Sequence, residues 1–107
     1  MLDRALAETY AEWFRALADA TRVQILHLLA SAREPLTVGQ VVEQVPVGQS
    51  TVSEHLKVLA RTRFVLAERR GTSTLYQVNE RCIECFPTAA DVVMGLPVVA
   101  AREECDE

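Results

Sequence analysis

Cys82 and Cys85 stand three residues apart in "RCIECF", and a third cysteine, Cys105, follows near the end of the 107-residue sequence. On a helical turn, positions i and i+3 share a face with Cβ atoms about 5–6 Å apart, so one ion can bridge both sulfurs. Thiolate is a soft ligand and favours thiophilic ions over magnesium or calcium. A place early in a helix, beside Arg81, favours thiolate over thiol. Structural zinc usually takes four nitrogen or sulfur ligands. Three thiols without a well-placed histidine fit that poorly. Trivalent arsenic or antimony, As(III) or Sb(III), takes three sulfurs in a pyramid, with Cys105 as the third. Three other readings stay open. The same thiols could hold Cd(II), Pb(II) or Zn(II). The pair could be a redox switch that forms a disulfide or sulfenic acid, or the cysteines could pack as small hydrophobes. No histidine or carboxylate partner is evident for a nucleophilic thiol, so the sequence does not point to an enzyme.

Something must position that pair. Leu6, Tyr10, Trp13, Phe14 and Leu17 recur at helical spacing over residues 3 to about 17. Asp19 is placed to cap a second helix, "ATRVQILHLLA", with Val23, Leu26 and Leu29/Ala30 on its inner side and Pro35 beyond its end. A short helix is expected over residues 37–45 with Thr37 as its cap. A tight turn containing Pro46 and Gly48 follows. The next helix, residues 49–60, turns Val52, Leu56 and Leu59 inward. In "FVLAERRGTSTLYQV" the period becomes that of strands, with Gly71 at a hairpin tip. The last helix begins near Asn79 or Glu80, with Pro87 as an expected break or kink, and an irregular tail covers about 96–107. The fold class is mainly α with a β-hairpin wing: one winged helix-turn-helix domain spanning 1–107.

The second helix of the helix-turn-helix presents a small polar face. Ser50, Ser53, Glu54 and Lys57 lie opposite its apolar side, and Gln49 and Thr51 stand at its start, where base-reading side chains usually sit. His55 borders the apolar face and suits packing and DNA contact equally. The hairpin tip carries Arg69, Arg70, Thr72 and Ser73, which suit phosphate or minor-groove contact. The formal charge of −4 argues against nucleic acid as a partner only if charge is uniform. It is not uniform. The acids gather at the two ends, whereas Lys57, Arg61, Arg63, Arg69 and Arg70 face a single acid, Glu68, between positions 57 and 70. A protein-interaction winged helix that never touches DNA is the competing class. No secretory leader or membrane span is evident, which leads to the expectation of a cytoplasmic protein with reduced thiols and no membrane partner.

These residues resemble the ArsR/SmtB family of metal-responsive repressors. "FRALADATRVQILHLL" is similar to the family's opening segment, "QSTVSEHLKVL" to its recognition helix and "ERRGTSTLYQV" to its wing. The resemblance runs from about Phe14 to Met94. It implies a homodimer that binds a palindromic double-stranded operator and is released by an inducer ion, derepressing a resistance operon, with no permanent cofactor. Two features of the inducer sites depart from the family. Many arsenic sensors carry a Cys-x-Cys pair where this chain reads "LTVGQVVEQV". Zinc sensors bind through Asp and His on the last helix, where this chain offers Asp91 and no histidine. The expected ligands are therefore Cys82, Cys85 and Cys105. A third departure is Arg63, which stands where the family often leaves the recognition helix through glycine; a positive φ there costs roughly 1 kcal/mol over glycine. Leu6, Tyr10, Trp13, Val92, Val93 and Met94 exceed what so small a core is expected to bury, which also points to a dimer.

Overall fold

The computed structural model describes residues 1–96, the side chains of residues 82–88 excepted. The expectation of an irregular tail, and Cys105 with it, lies outside the described residues from position 97 onward. Helix α1 spans Arg4–Ala16 and α2 spans Ala20–Ser31. A two-residue strand β1, Leu36–Thr37, leads into the short helix α3, Val38–Val42. Helix α4 is Gln49–Arg61, the hairpin is β2 (Val65–Arg70) and β3 (Ser73–Val78), and α5 is Glu80–Val93. The sheet is antiparallel in the order β1-β3-β2.

Local chemistry explains most boundaries. Asp19 accepts a hydrogen bond from the Arg22 backbone N–H at 3.1 Å, as an N-cap should. Thr37 and Gln40 form a capping box: Thr37 Oγ1 accepts from the Gln40 N–H and Gln40 Oε1 accepts from the Thr37 N–H. Thr37 also pairs with Leu75 and Leu36 with Tyr76, so the start of the helix-turn-helix is joined to the wing sheet. Arg70 pairs with Ser73 across the two-residue turn Gly71–Thr72. Gly71 has φ 61° and Thr72 does not share the positive sign, the pattern of a type II′ hairpin turn, which wants glycine first.

The core is built where the three central helices meet the sheet. Ile25, Val41, Val52, Leu56 and Leu59 are fully buried, joined by Val65 and Phe64. The inward set of α4 is therefore the expected one. Elsewhere the structure corrects the expectation. On α2 the deepest residue is Ile25, whereas Val23 is 47% exposed and Ala30 lies outside. "VQILHLLA" is aliphatic on several sides, so spacing alone does not select one face. Helix α3 ends at Val42 rather than 45, because Leu36 and Thr37 are drawn into the sheet and Val45 and Val47 pack on the core from the following turn. Helix α5 runs through Pro87 without interruption. Proline removes one helical hydrogen bond, but Ala89 beyond it is almost wholly buried and Val92 packs on the core, which holds the second half of the helix in line. Tyr10 and Trp13 are not surplus. They stack at 5.4 Å between ring centroids, and both are buried within this chain.

Candidate nucleic-acid interface

Helix α4 presents two faces of opposite character. Val52, Leu56 and Leu59 are sealed against the core, and on the other side Gln49, Ser50, Thr51, Glu54 and Lys57 are exposed. Ser53 is half-buried at the margin. Gly48 caps the helix with an extended backbone and no side-chain bond, so nothing bulky stands before Gln49 and Ser50. Short hydroxyl side chains at this end let the helix backbone approach a groove floor closely, and Lys57 one to two turns on can reach a phosphate.

The wing supplies the second contact surface. Arg69, Arg70, Thr72 and Ser73 are all exposed around the Gly71 turn. Arg69 Nε donates to the Gly71 carbonyl at 3.1 Å, Arg70 pairs with Glu68 at 3.4 Å, and Lys57 pairs with Glu54 at 3.6 Å. Such exposed pairs are worth at most about 1 kcal/mol, so they can yield to a phosphate.

His55 does not join this surface. Its side chain is 15% exposed and lies at the start of α2, with Arg22 Nη1 3.1 Å from Nδ1 and Oδ1 of the capping Asp19 3.8 Å from Nε2. Of the two roles open to it in the sequence, the geometry supports packing. Arg22 was not legible as a functional residue. It also donates from Nε to the Ala16 carbonyl and from Nη2 to the Arg15 carbonyl at 3.5 Å, satisfying acceptors left open at the end of α1. The signal was present: Arg22 occupies the third position of α2, where a capping box wants Glu or Gln and the helix dipole disfavours a cation. The hydrogen bond from the Arg22 N–H holds the Asp19 carboxyl below its ordinary range, with smaller contributions from the nearby His55 and Arg22 charges.

The two described cysteine positions lie at the third and sixth residues of α5. That helix starts at Asn79, whose Oδ1 accepts from the Arg81 N–H at 3.2 Å. The Nδ2 of Asn79 donates to the Arg63 carbonyl at 2.8 Å, and its backbone N–H donates to Phe64 O at 2.9 Å. The first turn of α5 is therefore bonded directly to the exit of α4. Among the described residues no group of three or more His, Cys, Asp or Glu comes together elsewhere to hold a metal ion.

Two short helices joined by a turn, with the second exposing a polar face beside a basic hairpin, define a winged helix-turn-helix DNA-binding protein. The family model for bacterial regulatory proteins of the arsR family matches residues 19–66. A probable mercury resistance operon repressor from Streptomyces lividans is 36% identical over 94 residues, covering 88% of this chain and 69% of that protein. The HTH-type transcriptional regulator KmtR of Mycobacterium tuberculosis is 46% identical over 91 residues, covering 80% and 68% respectively. Among solved structures, a homodimeric winged helix-turn-helix DNA-binding domain from Mycobacterium bovis superposes with a TM-score of 0.70 at 30% identity and 88% coverage of both chains. The chain belongs to the arsR family of bacterial regulatory proteins. It is a DNA-binding transcriptional regulator and not an enzyme.

Proposed function

We propose that this chain is the repressor of a resistance operon and that As(III) or Sb(III), held by Cys82, Cys85 and Cys105, releases it from its operator. The observation that carries this reading is the bond between Asn79 and Arg63. It ties the turn bearing the cysteine pair to the end of the recognition helix. An ion that rearranges the start of α5 acts on the orientation of α4 through that bond. The donor set fits a trigonal thiophilic ion, because Cys82 and Cys85 stand three positions apart in the sequence of α5 and Cys105 offers a third soft donor. Near-complete reversal of an operator-competent population requires the ion to favour the other form by about 5 kcal/mol, a scale that thiolate bonds reach and a weak surface contact does not.

Gln49, Ser50, Thr51 and Ser53 read base edges in this proposal, and Lys57, Arg69, Arg70, Thr72 and Ser73 hold the phosphate backbone. The acting form is a cytoplasmic homodimer on a palindromic operator. Val93, Met94 and Leu96 are exposed apolar residues at the end of α5, which supports a pairing surface there. The homodimeric M. bovis domain supports a homodimer.

The mercury-resistance relative favours a second reading, in which another soft ion uses the same thiols. Titrating the reduced protein with As(III), Sb(III), Cd(II), Zn(II) and Hg(II) while following release of labelled operator separates the two. Cys82→Ser or Cys85→Ser leaves operator binding intact and abolishes release, so the repressor stays locked on DNA. Normal As(III) release by the Cys82→Ser, Cys85→Ser double variant refutes the site.

A further inference from the structure

We propose that Arg22 positions the recognition helix through the neutral imidazole of His55, so that protonation of His55 loosens operator reading without any inducer ion. The inference depends on operator binding but not on the cysteine site.

The geometry runs through one guanidinium. Arg22 is bonded to the Ala16 and Arg15 carbonyls at the end of α1, and its own backbone N–H is bonded to Asp19 at the start of α2. Its remaining nitrogen, Nη1, lies 3.1 Å from His55 Nδ1 on α4. The side chain is half-buried and anchored on two elements, so it fixes where His55, and with it the middle of α4, can sit. His55 is flanked by the fully buried Leu56 and lies one turn from Val52 and Leu59, and its neighbours Glu54 and Lys57 face outward. A rotation of α4 about this point moves Ser50 and Lys57 relative to the DNA.

Arginine has only N–H donors. At 3.1 Å from Arg22 Nη1, the Nδ1 of His55 must be the acceptor, and the ring proton of the neutral imidazole lies on Nε2. A second proton can enter only at Nδ1. It places two N–H groups head to head, and the bond to Arg22 is lost. The acid beside the imidazolium among the described residues is then Asp19, whose Oδ1 is already 3.8 Å from Nε2. Protonation therefore exchanges partners, from Arg22 to Asp19, within one turn of α2. Among the described residues, the charged side chains of the other elements packed near α4 are engaged elsewhere. Helix α3, "VGQVV", has no ionisable side chain, and the Glu68, Arg69 and Arg70 side chains of β2 are engaged with one another and with Gly71 at the wing tip. On α1, Arg15 pairs with Glu12.

The test is the ratio of operator affinity to random-DNA affinity, measured at constant ionic strength from about pH 7.5 to about 5.5, where imidazoles titrate. The ratio is expected to fall at least about fivefold, equivalent to loss of one good base contact. His55→Gln keeps an acceptor for Arg22 and cannot titrate, so its ratio stays flat. His27→Gln, which removes the exposed histidine of α2, keeps the fall. Asp19→Asn keeps the cap but removes the partner of the imidazolium, so the fall moves to lower pH. A flat wild-type ratio, an unchanged fall in His55→Gln, or an unmoved midpoint in Asp19→Asn each overturns the inference. Absence of any operator preference at pH 7.5 would instead refute sequence-specific operator binding itself.

Discussion

The Asn79 side chain spans two helices: its oxygen caps α5 through the Arg81 N–H at 3.2 Å, and its nitrogen donates to the carbonyl of Arg63 at 2.8 Å. One amide thus serves the helix that carries the cysteine pair and the residue that ends the recognition helix. Asn79→Asp separates the two roles, since aspartate caps as well as asparagine but cannot donate. The expected result is a loss of about 1 kcal/mol in stability, the usual net worth of one hydrogen bond. Operator binding is retained, and the As(III) concentration for half-release rises. Operator release at the wild-type ion concentration would show that coupling does not pass through this bond.

Arg63 is the one non-glycine residue with positive φ among the described residues, at 71°. The reason for that conformation is visible in its hydrogen bonds. The Phe64 N–H returns to Leu59 O at 2.9 Å and the Arg63 N–H to Ala60 O at 3.1 Å, which is the Schellman ending of α4 with Phe64 packed beside Leu59. Glycine normally takes this place. Arg63→Gly is expected to stabilise the chain by up to about 1 kcal/mol, relief of left-handed strain outweighing the added freedom of the unfolded chain. A thermal melt should show a rise of a few degrees, and a lower Tm would mean that the arginine side chain makes a compensating contact.

The fold was legible where a local rule had one answer. Asp19 and Thr37 could be read as caps, the last helix as starting near Asn79 or Glu80, and Val52, Leu56 and Leu59 as one buried stripe, because few alternatives fit. Gly71 marked the wing because a two-residue hairpin wants positive φ. The face of α2 was not legible, because its aliphatic residues surround the helix and only the positions of α4 and β3 decide that Ile25 goes inside. Tyr10 and Trp13 form a legible stripe on α1, but only the packing of α1 in the fold shows that this chain's own core covers them. The polar face of α4 and the basic wing tip could be read from spacing. The clasp of Arg22 on His55 could not, since 33 residues separate the pair and only the fold brings them together.

Lys57, Arg69 and Arg70 are exposed and held only by surface pairs. Alanine at each should weaken operator and random DNA alike and lower the salt slope by about 1, the signature of one lost phosphate contact. Gln49→Ala and Ser50→Ala should weaken the operator selectively, because both side chains project from the exposed start of α4. Glu54, on the same face, opposes DNA, and Glu54→Gln should tighten random-DNA binding. Fluorescence anisotropy over a range of salt concentrations checks all six. Equal losses on both DNAs for the Gln49, Ser50, Lys57, Arg69 and Arg70 variants would mean that α4 does not read bases.

Val93, Met94 and Leu96 remain 50%, 75% and 56% exposed, clustered at the end of α5. Each Å² of such surface removed from water contributes about 25 cal/mol, so a second copy covering these side chains gains several kcal/mol before the cost of association. Met94→Asp puts a charge at the most exposed of the three on this helix end while leaving the core of the chain untouched. Sedimentation should show the dimer dissociation constant rising at least about tenfold, a change of about 1.4 kcal/mol, with the helical circular dichroism of the chain unchanged. Operator binding should then become steeply dependent on protein concentration, because a monomer reaches one half-site and only the pair spans two. A Met94→Asp protein that remains dimeric at nanomolar concentration would place the pairing surface elsewhere, and α1 would be the next face to test.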